Sequence, residues 1–87
     1  MKADKTQVLR LLKTARGQLE GIINMVEEDR YCVDISNQIM ATQSILTKTN
    51  AAILKAHMDC CVRSAIESGD GEEKLEEISA LLEKLLK

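Results

Sequence analysis

Cys32, His57 and Cys61 are the side chains of this sequence whose types and spacing could do chemistry. They comprise two thiols and the only histidine of the chain. His57 and Cys61 stand four residues apart in a stretch that reads as helix. At about 3.6 residues per turn an i, i+4 pair projects from one face, so these two side chains can grip a single ion. A thiolate, thiolate, imidazole set suits Cu(I) or a tetrahedral metal such as Zn(II), and disfavours Mg and Ca, which want oxygen ligands. Cys60, three residues beyond His57, lies close to the same face. It either supplies a further thiol or continues an apolar stripe. Nothing in the sequence forms a nucleophile, base and orienter set, so neither an enzyme nor a small-molecule substrate is expected.

The elements that must position these residues are helical. Val8, Leu11, Leu12, Ala15, Leu19, Ile22, Ile23 and Val26 recur at spacings of three and four, which predicts an amphipathic helix over about residues 4–28. EEDRY at 27–31 is a polar connector. From Cys32 to about Ser68 no Gly or Pro intervenes, and Ile35, Ile39, Leu46, Ile53 and Cys60 keep one apolar stripe. A second stripe runs through Met40, Ile45, Ala52 and Val62. SGDGEE at 68–73 is the clearest turn, and Leu75, Ile78, Leu81, Leu82, Leu85 and Leu86 define a short third helix.

A central helix of about 36 residues is roughly 54 Å long. One small chain cannot cover two apolar faces of such a rod, so self-association is expected. Cys32 begins the same helix, about 38 Å from His57 at 1.5 Å per residue, and cannot reach it within one chain while the helix is unbroken. An antiparallel helix from a second chain would bring its Cys32 alongside His57 and Cys61. The fold class expected is therefore all-α, a three-helix protomer with one very long central helix, pairing as an antiparallel dimer in a four-helix bundle.

Composition agrees. The 87 residues make a single small domain spanning 1–87, with no Phe, no Trp, no Pro and one Tyr, which disfavours a β-sandwich or barrel. The three cysteines are an odd number, and MKADKTQ is followed by no apolar run. A reducing cytoplasm with free thiols is the expectation, and no stretch approaches the roughly 18 apolar residues of a membrane span. The formal net charge of −2 hides an asymmetry. Residues 1–16 carry a local balance of +4 and residues 67–87 one of −4, while Lys48 and Lys55 lie in an acid-free stretch between Asp34 and Asp59. One end of the chain can face phosphates.

LLKTARGQLEGIINMVEEDRYCVDISNQI at 11–39, QSILTKTN at 43–50 and HMDCC at 57–61 together carry a family resemblance. Over essentially its full length the chain resembles the CsoR/RcnR family of small all-helical bacterial repressors, and its copper-sensing branch in particular. The resemblance implies a dimer-of-dimers tetramer that binds operator DNA without a helix-turn-helix. It also implies release on Cu(I) binding to a Cys-x24-His-x3-Cys set, the first cysteine coming from the neighbouring protomer. Cys32, His57 and Cys61 fit that spacing, and Tyr31 and Glu77 stand where the branch places partners of the ligand histidine. Nickel and cobalt sensors add an N-terminal histidine that this chain lacks. Persulfide sensors lose the histidine it retains. Formaldehyde sensors usually have proline at position 2 and no second thiol, whereas Lys2 and Cys61 stand here. A persulfide or reactive-sulfur sensor using Cys32 with Cys60 or Cys61 is the alternative. Lys13, Arg16 and Lys48 fall on basic positions of the DNA-binding pattern, with Arg10 and Lys55 near. Leu11 departs from it, since many copper-branch members carry arginine there.

Overall fold

Val8, Ala15 and Ile22 recur every seven residues, and they are the three buried side chains of the first helix, α1 (Lys5–Glu27). Seven residues are close to two turns, so the three lie almost in line along the helix. In the computed structural model, placement is described for residues 1–69 and 71–86, with the backbone alone for Cys61, Val62 and Leu86. Leu12, Leu19, Ile23 and Val26, expected on the same apolar face, are each 41–55% exposed. They widen the apolar surface of α1 beyond what its own chain covers.

The end of α1 is chemically specific. Asp29 takes a left-handed conformation with φ 52°. The Arg30 N–H donates to the Met25 carbonyl at 2.9 Å and the Asp29 N–H to the Val26 carbonyl at 3.1 Å. This is a Schellman cap, in which carbonyls left over at the helix end find partners. The polar connector read from EEDRY is thus a built stop, with a short-chain acid in the position that glycine usually fills.

The second helix, α2, spans Cys32–His57 and carries Asp34 in its first turn, where the helix dipole favours an acid. Its buried residues are Thr42 and Thr49, again seven apart. Ile39 and Leu46, of the first apolar stripe, are 42% and 44% exposed. Each threonine can be buried because its hydroxyl has an acceptor. The Thr49 hydroxyl donates to the Ile45 carbonyl at 2.7 Å, and the Thr42 hydroxyl to Gln18 Oε1 of α1 at 2.8 Å, with the Gln38 carbonyl a second acceptor at 3.2 Å.

Helical backbone continues past His57, although not as the plain α-helix expected to about Ser68. Met58–Val62 form a π turn, and α3 follows at Arg63–Ser68. His57 and Arg63 on either side keep ordinary right-handed angles, so the rod widens without breaking. A π turn closes its hydrogen bonds five residues apart rather than four, which resets side-chain direction beyond it. Gly69, at φ 94°, ends α3 in a conformation that side chains resist. Asp70 of the expected turn lies outside the described residues.

The last helix, α4 (Gly71–Leu86), begins with Glu72 and Glu73 and ends with Lys84, the charge order its dipole favours. It packs on α3 and the π turn, with Ala65 and Ile78 buried. At Gly71 a Cβ would stand 2.8 Å from Ile66 Cγ1, so the glycine permits a close approach of α4 to α3. Among the described residues there is no strand, and the all-α class stands. The chain divides into two units, one of residues Lys5–Asn50 and one of Met1–Asp4 with Ala51–Lys87. Among the described residues no helix is long and apolar enough to cross a membrane.

Candidate functional site

Cys32 is the first residue of α2 and His57 its last, and helical hydrogen bonding runs unbroken between them. The residues expected to share an ion are therefore not gathered by their own chain. Among the described residues no three His, Cys, Asp or Glu side chains come together. Cys32 is exposed and in no disulfide. Tyr31, just before it, is 65% exposed, and its carbonyl accepts from the Ile35 N–H at 3.2 Å in the opening turn of α2.

Around His57 the geometry is richer. The imidazole is half-buried and lines a cavity of about 350 Å³ with Cys60, Ser64, Ser68, Lys2 and Lys74. Cys60 is exposed, is not in a disulfide and lines that cavity. His57, Cys60, Ser64 and Ser68 follow one another at intervals of three and four residues along the rod, through the π turn, and all four line the cavity. Cys61 lies in the π turn, and its side chain lies outside the described residues. Glu77 is half-exposed and pairs with Lys74, Oε2 to Nζ at 3.5 Å across one turn of α4. No hydrogen bond from Glu77 to His57 occurs among the described residues, and Lys74 is the group that connects Glu77 with the cavity wall.

The cavity adds residues that spacing did not single out. Lys2, Ser64 and Lys74 come from three separated parts of the sequence, and only the packing of α4 on α3 makes Lys74 a neighbour of the thiol. Cys60, for which the sequence leaves open an extra thiol or a place in the apolar stripe, is exposed, as are the stripe residues Ile39 and Leu46.

The basic residues occupy the other unit for the most part. Arg10 and Lys13 stand side by side on α1, lining a groove of about 610 Å³ with Thr6, Leu9 and Thr14. The Thr14 hydroxyl donates to the Arg10 carbonyl at 2.9 Å, so it is folded back on the helix. Arg16 follows on α1, and Lys48 and Lys55 lie seven residues apart on α2. All five are exposed. Arg30 pairs with Glu28 and Lys74 with Glu77, and among the described residues none of the five cations is seen in a salt bridge. Arg16 has Glu20 one turn ahead and does not pair with it.

Soft donors at both ends of one long helix, exposed apolar stripes and cations on α1 and α2 without salt bridges among the described residues mark a class: small all-helical proteins with soft donors and a separate set of exposed cations. The chain belongs to the family of metal-sensitive transcriptional repressors, whose model it matches over residues 4–84. This is a family of repressors rather than of enzymes. The sequence is 44% identical over 84 residues to the copper-sensing transcriptional repressor CsoR of Bacillus subtilis, covering 97% of this chain and 83% of that protein. It is 43% identical over 76 residues to the CsoR of Mycobacterium tuberculosis, where it spans 87% of this chain and 64% of that longer protein. Its fold is similar to the crystal structure of the copper-sensing repressor CsoR with Cu(I) from Geobacillus thermodenitrificans, with a TM-score of 0.87 and 34% identity over 100% of this chain and 94% of that one. All three relatives are named for copper, which does not favour the reactive-sulfur alternative.

Proposed function

We propose that the protein is a copper(I)-responsive transcriptional repressor that holds operator DNA in its metal-free form and releases it when Cu(I) binds Cys32, His57 and Cys61. The reading is supported above all by the position of Cys32 and His57 at the two ends of one unbroken helix. A site that uses both requires a second chain, with Cys32 given by the partner. The apolar side chains that α1 and α2 leave exposed, Leu12, Leu19, Ile23, Ile39, Met40 and Leu46, are what such a partner would cover. A dimer or a dimer of dimers, working as one functional domain per chain in a reducing cytoplasm, is the corresponding assembly.

The donor set fits the metal. Thiolates and a neutral imidazole are soft ligands with a preference for Cu(I), and the described thiols are free and exposed. Cu(I) is here the signal received, and it acts only by binding one arrangement of the helices more tightly than the other. His57 is the residue best placed to pass that difference on. Tyr31 and Glu77 are the groups that would hold its second nitrogen, fixing the tautomer and the ring direction. Arg10, Lys13, Arg16, Lys48 and Lys55 supply the positive face for phosphates.

The test is a titration of anaerobic, reduced protein with Cu(I), reading both coordination number and the anisotropy of a labelled inverted-repeat promoter fragment. Coupling of about 1 to 3 kcal/mol predicts a fall in DNA affinity of about 5 to 150-fold in the parent protein. His57→Ala should still bind the fragment and lose most of that response. Full release of DNA by Cu(I) in the variant would sink the mechanism.

A further inference from the structure

The cavity beside His57 has the chemistry of a receptor for a small anion that bears sulfur. Lys2, Lys74 and Ser64 are among its lining residues and no acid is among the described ones, although the Lys74 ammonium stands 3.5 Å from the Glu77 carboxylate. Its volume of about 350 Å³ falls at the lower end of pockets that hold small molecules, which run from about 300 to 1,000 Å³. On the same wall stand an exposed thiol, Cys60, and an imidazole, His57. The copper site read from the sequence uses Cys61, and accounts for neither lysine nor for Cys60.

In a thiol-rich compartment Cu(I) does not travel as a bare ion, because soft thiolates bind it. Low-mass cellular thiols carry carboxylates, and their Cu(I) complexes are anionic. We propose that this cavity docks such an anionic thiol complex of Cu(I), with Lys2 and Lys74 holding its carboxylates and Cys60 the first protein atom to take the metal. The inference rests on the copper reading above and names the form in which copper arrives.

Lys74 is available for this. Its pairing with Glu77 is long, at 3.5 Å, with side chains 39% and 49% exposed, and such pairs hold little energy. A ligand carboxylate can share the ammonium group, which has three donors. Transfer is then a ligand exchange with no change of oxidation state. The Cys60 sulfur forms a bond to Cu(I), one carrier sulfur leaves, and the proton from the Cys60 thiol goes to the departing sulfur as a free thiol. The remaining carrier thiolate keeps the overall charge unchanged. His57 lies on the same cavity wall to accept the metal next.

The experiment compares two donors by anaerobic stopped flow: the Cu(I) complex of glutathione, which is anionic, and Cu(I) in acetonitrile, which is not. The variants are Lys2→Gln with Lys74→Gln, and separately Cys60→Ser; Lys2 and Cys60 are exposed and Lys74 half-exposed, so folding is not at issue. Removing two charges from a steering site should lower the rate with the glutathione complex by about tenfold relative to the rate with acetonitrile. Cys60→Ser should slow transfer from glutathione as well. If the ratio of the two rates is the same in parent and lysine variant, the docking site is wrong while the copper reading stands. If the parent protein takes Cu(I) from neither donor, the copper reading itself fails and takes this inference with it.

Discussion

The hydrogen bond from Thr42 to Gln18 fixes how α1 lies on α2 within the Lys5–Asn50 unit, and its worth can be worked from the geometry. Thr42 is 3% exposed, and its hydroxyl meets Gln18 Oε1 at 2.8 Å, a short and well-formed bond between two neutral groups. Such a bond contributes about 0.5 to 1.5 kcal/mol net. Thr42→Val keeps the branched shape, so no cavity term enters, and Gln18 is half-exposed, so its orphaned carbonyl oxygen can turn to water. The cost of Thr42→Val should therefore be about 1 kcal/mol rather than the 3 of a sealed site. Gln18→Leu should cost a similar amount, and the double variant little more than either alone. Urea unfolding at fixed protomer concentration measures all four proteins, since self-association makes stability depend on concentration. Additivity of the two single changes within about 0.3 kcal/mol would refute the coupling. Thr42→Ser, which keeps the hydroxyl, should restore most of the loss. Because Arg10, Lys13 and Arg16 ride on α1, Thr42→Val should also weaken binding to a promoter fragment more than Thr42→Ser does.

Two further outcomes follow from the exposed faces. Leu19→Glu with Ile23→Glu places charge where α1 is 49% and 54% exposed and apolar, and sedimentation should show a smaller assembly; an unchanged one would remove this face from the interface. Lys13→Gln should weaken DNA binding at all sequences and lower the slope of log affinity against log salt by about one unit for each copy that contacts a phosphate, and a slope equal to that of the parent would exclude Lys13 from the contact.

The helices were legible because their cause is local. The three and four spacing of apolar residues placed α1 at about 4–28 against the observed Lys5–Glu27, and the glycines of the 68–73 turn stand at the join of α3 and α4. The π turn was not legible, since Met58–Val62 contain nothing that favours one helical hydrogen-bond period over another. Burial of Thr42 and Thr49 on α2 was not legible, for a related reason. An apolar count marks stripes such as Ile39 and Leu46, whereas Thr42 and Thr49 are buried because each hydroxyl can satisfy itself on the helix or on Gln18, which no hydropathy pattern reveals. Of the site, Cys32, His57 and Cys61 stood out by residue type alone. Lys2 and Lys74 did not, because a lysine beside a thiol is a product of tertiary packing and its sequence neighbours are silent about it.

Net charge is the weakest of the global descriptors for this chain, and the reason bears on how it meets DNA. A formal charge of −2 and an isoelectric point near 5.4 describe an acidic protein, which phosphates should repel. Salt, however, limits the reach of each charge to a Debye length of about 8 Å at physiological ionic strength, so the sign that a phosphate meets is set locally. Along α1 the positions three and four residues from Arg10 and Lys13 hold no acid, and Glu20, the one acid within such reach of Arg16, does not pair with it. The acids Glu72, Glu73, Glu76, Glu77 and Glu83 lie on α4, in the other unit. Cations left without internal partners keep their hydration and counterions, and binding a phosphate releases the DNA's own counterions, which is the entropic source of affinity. Segregation of charge along the chain, rather than its sum, is what equips an acidic protein of this size to hold a polyanion.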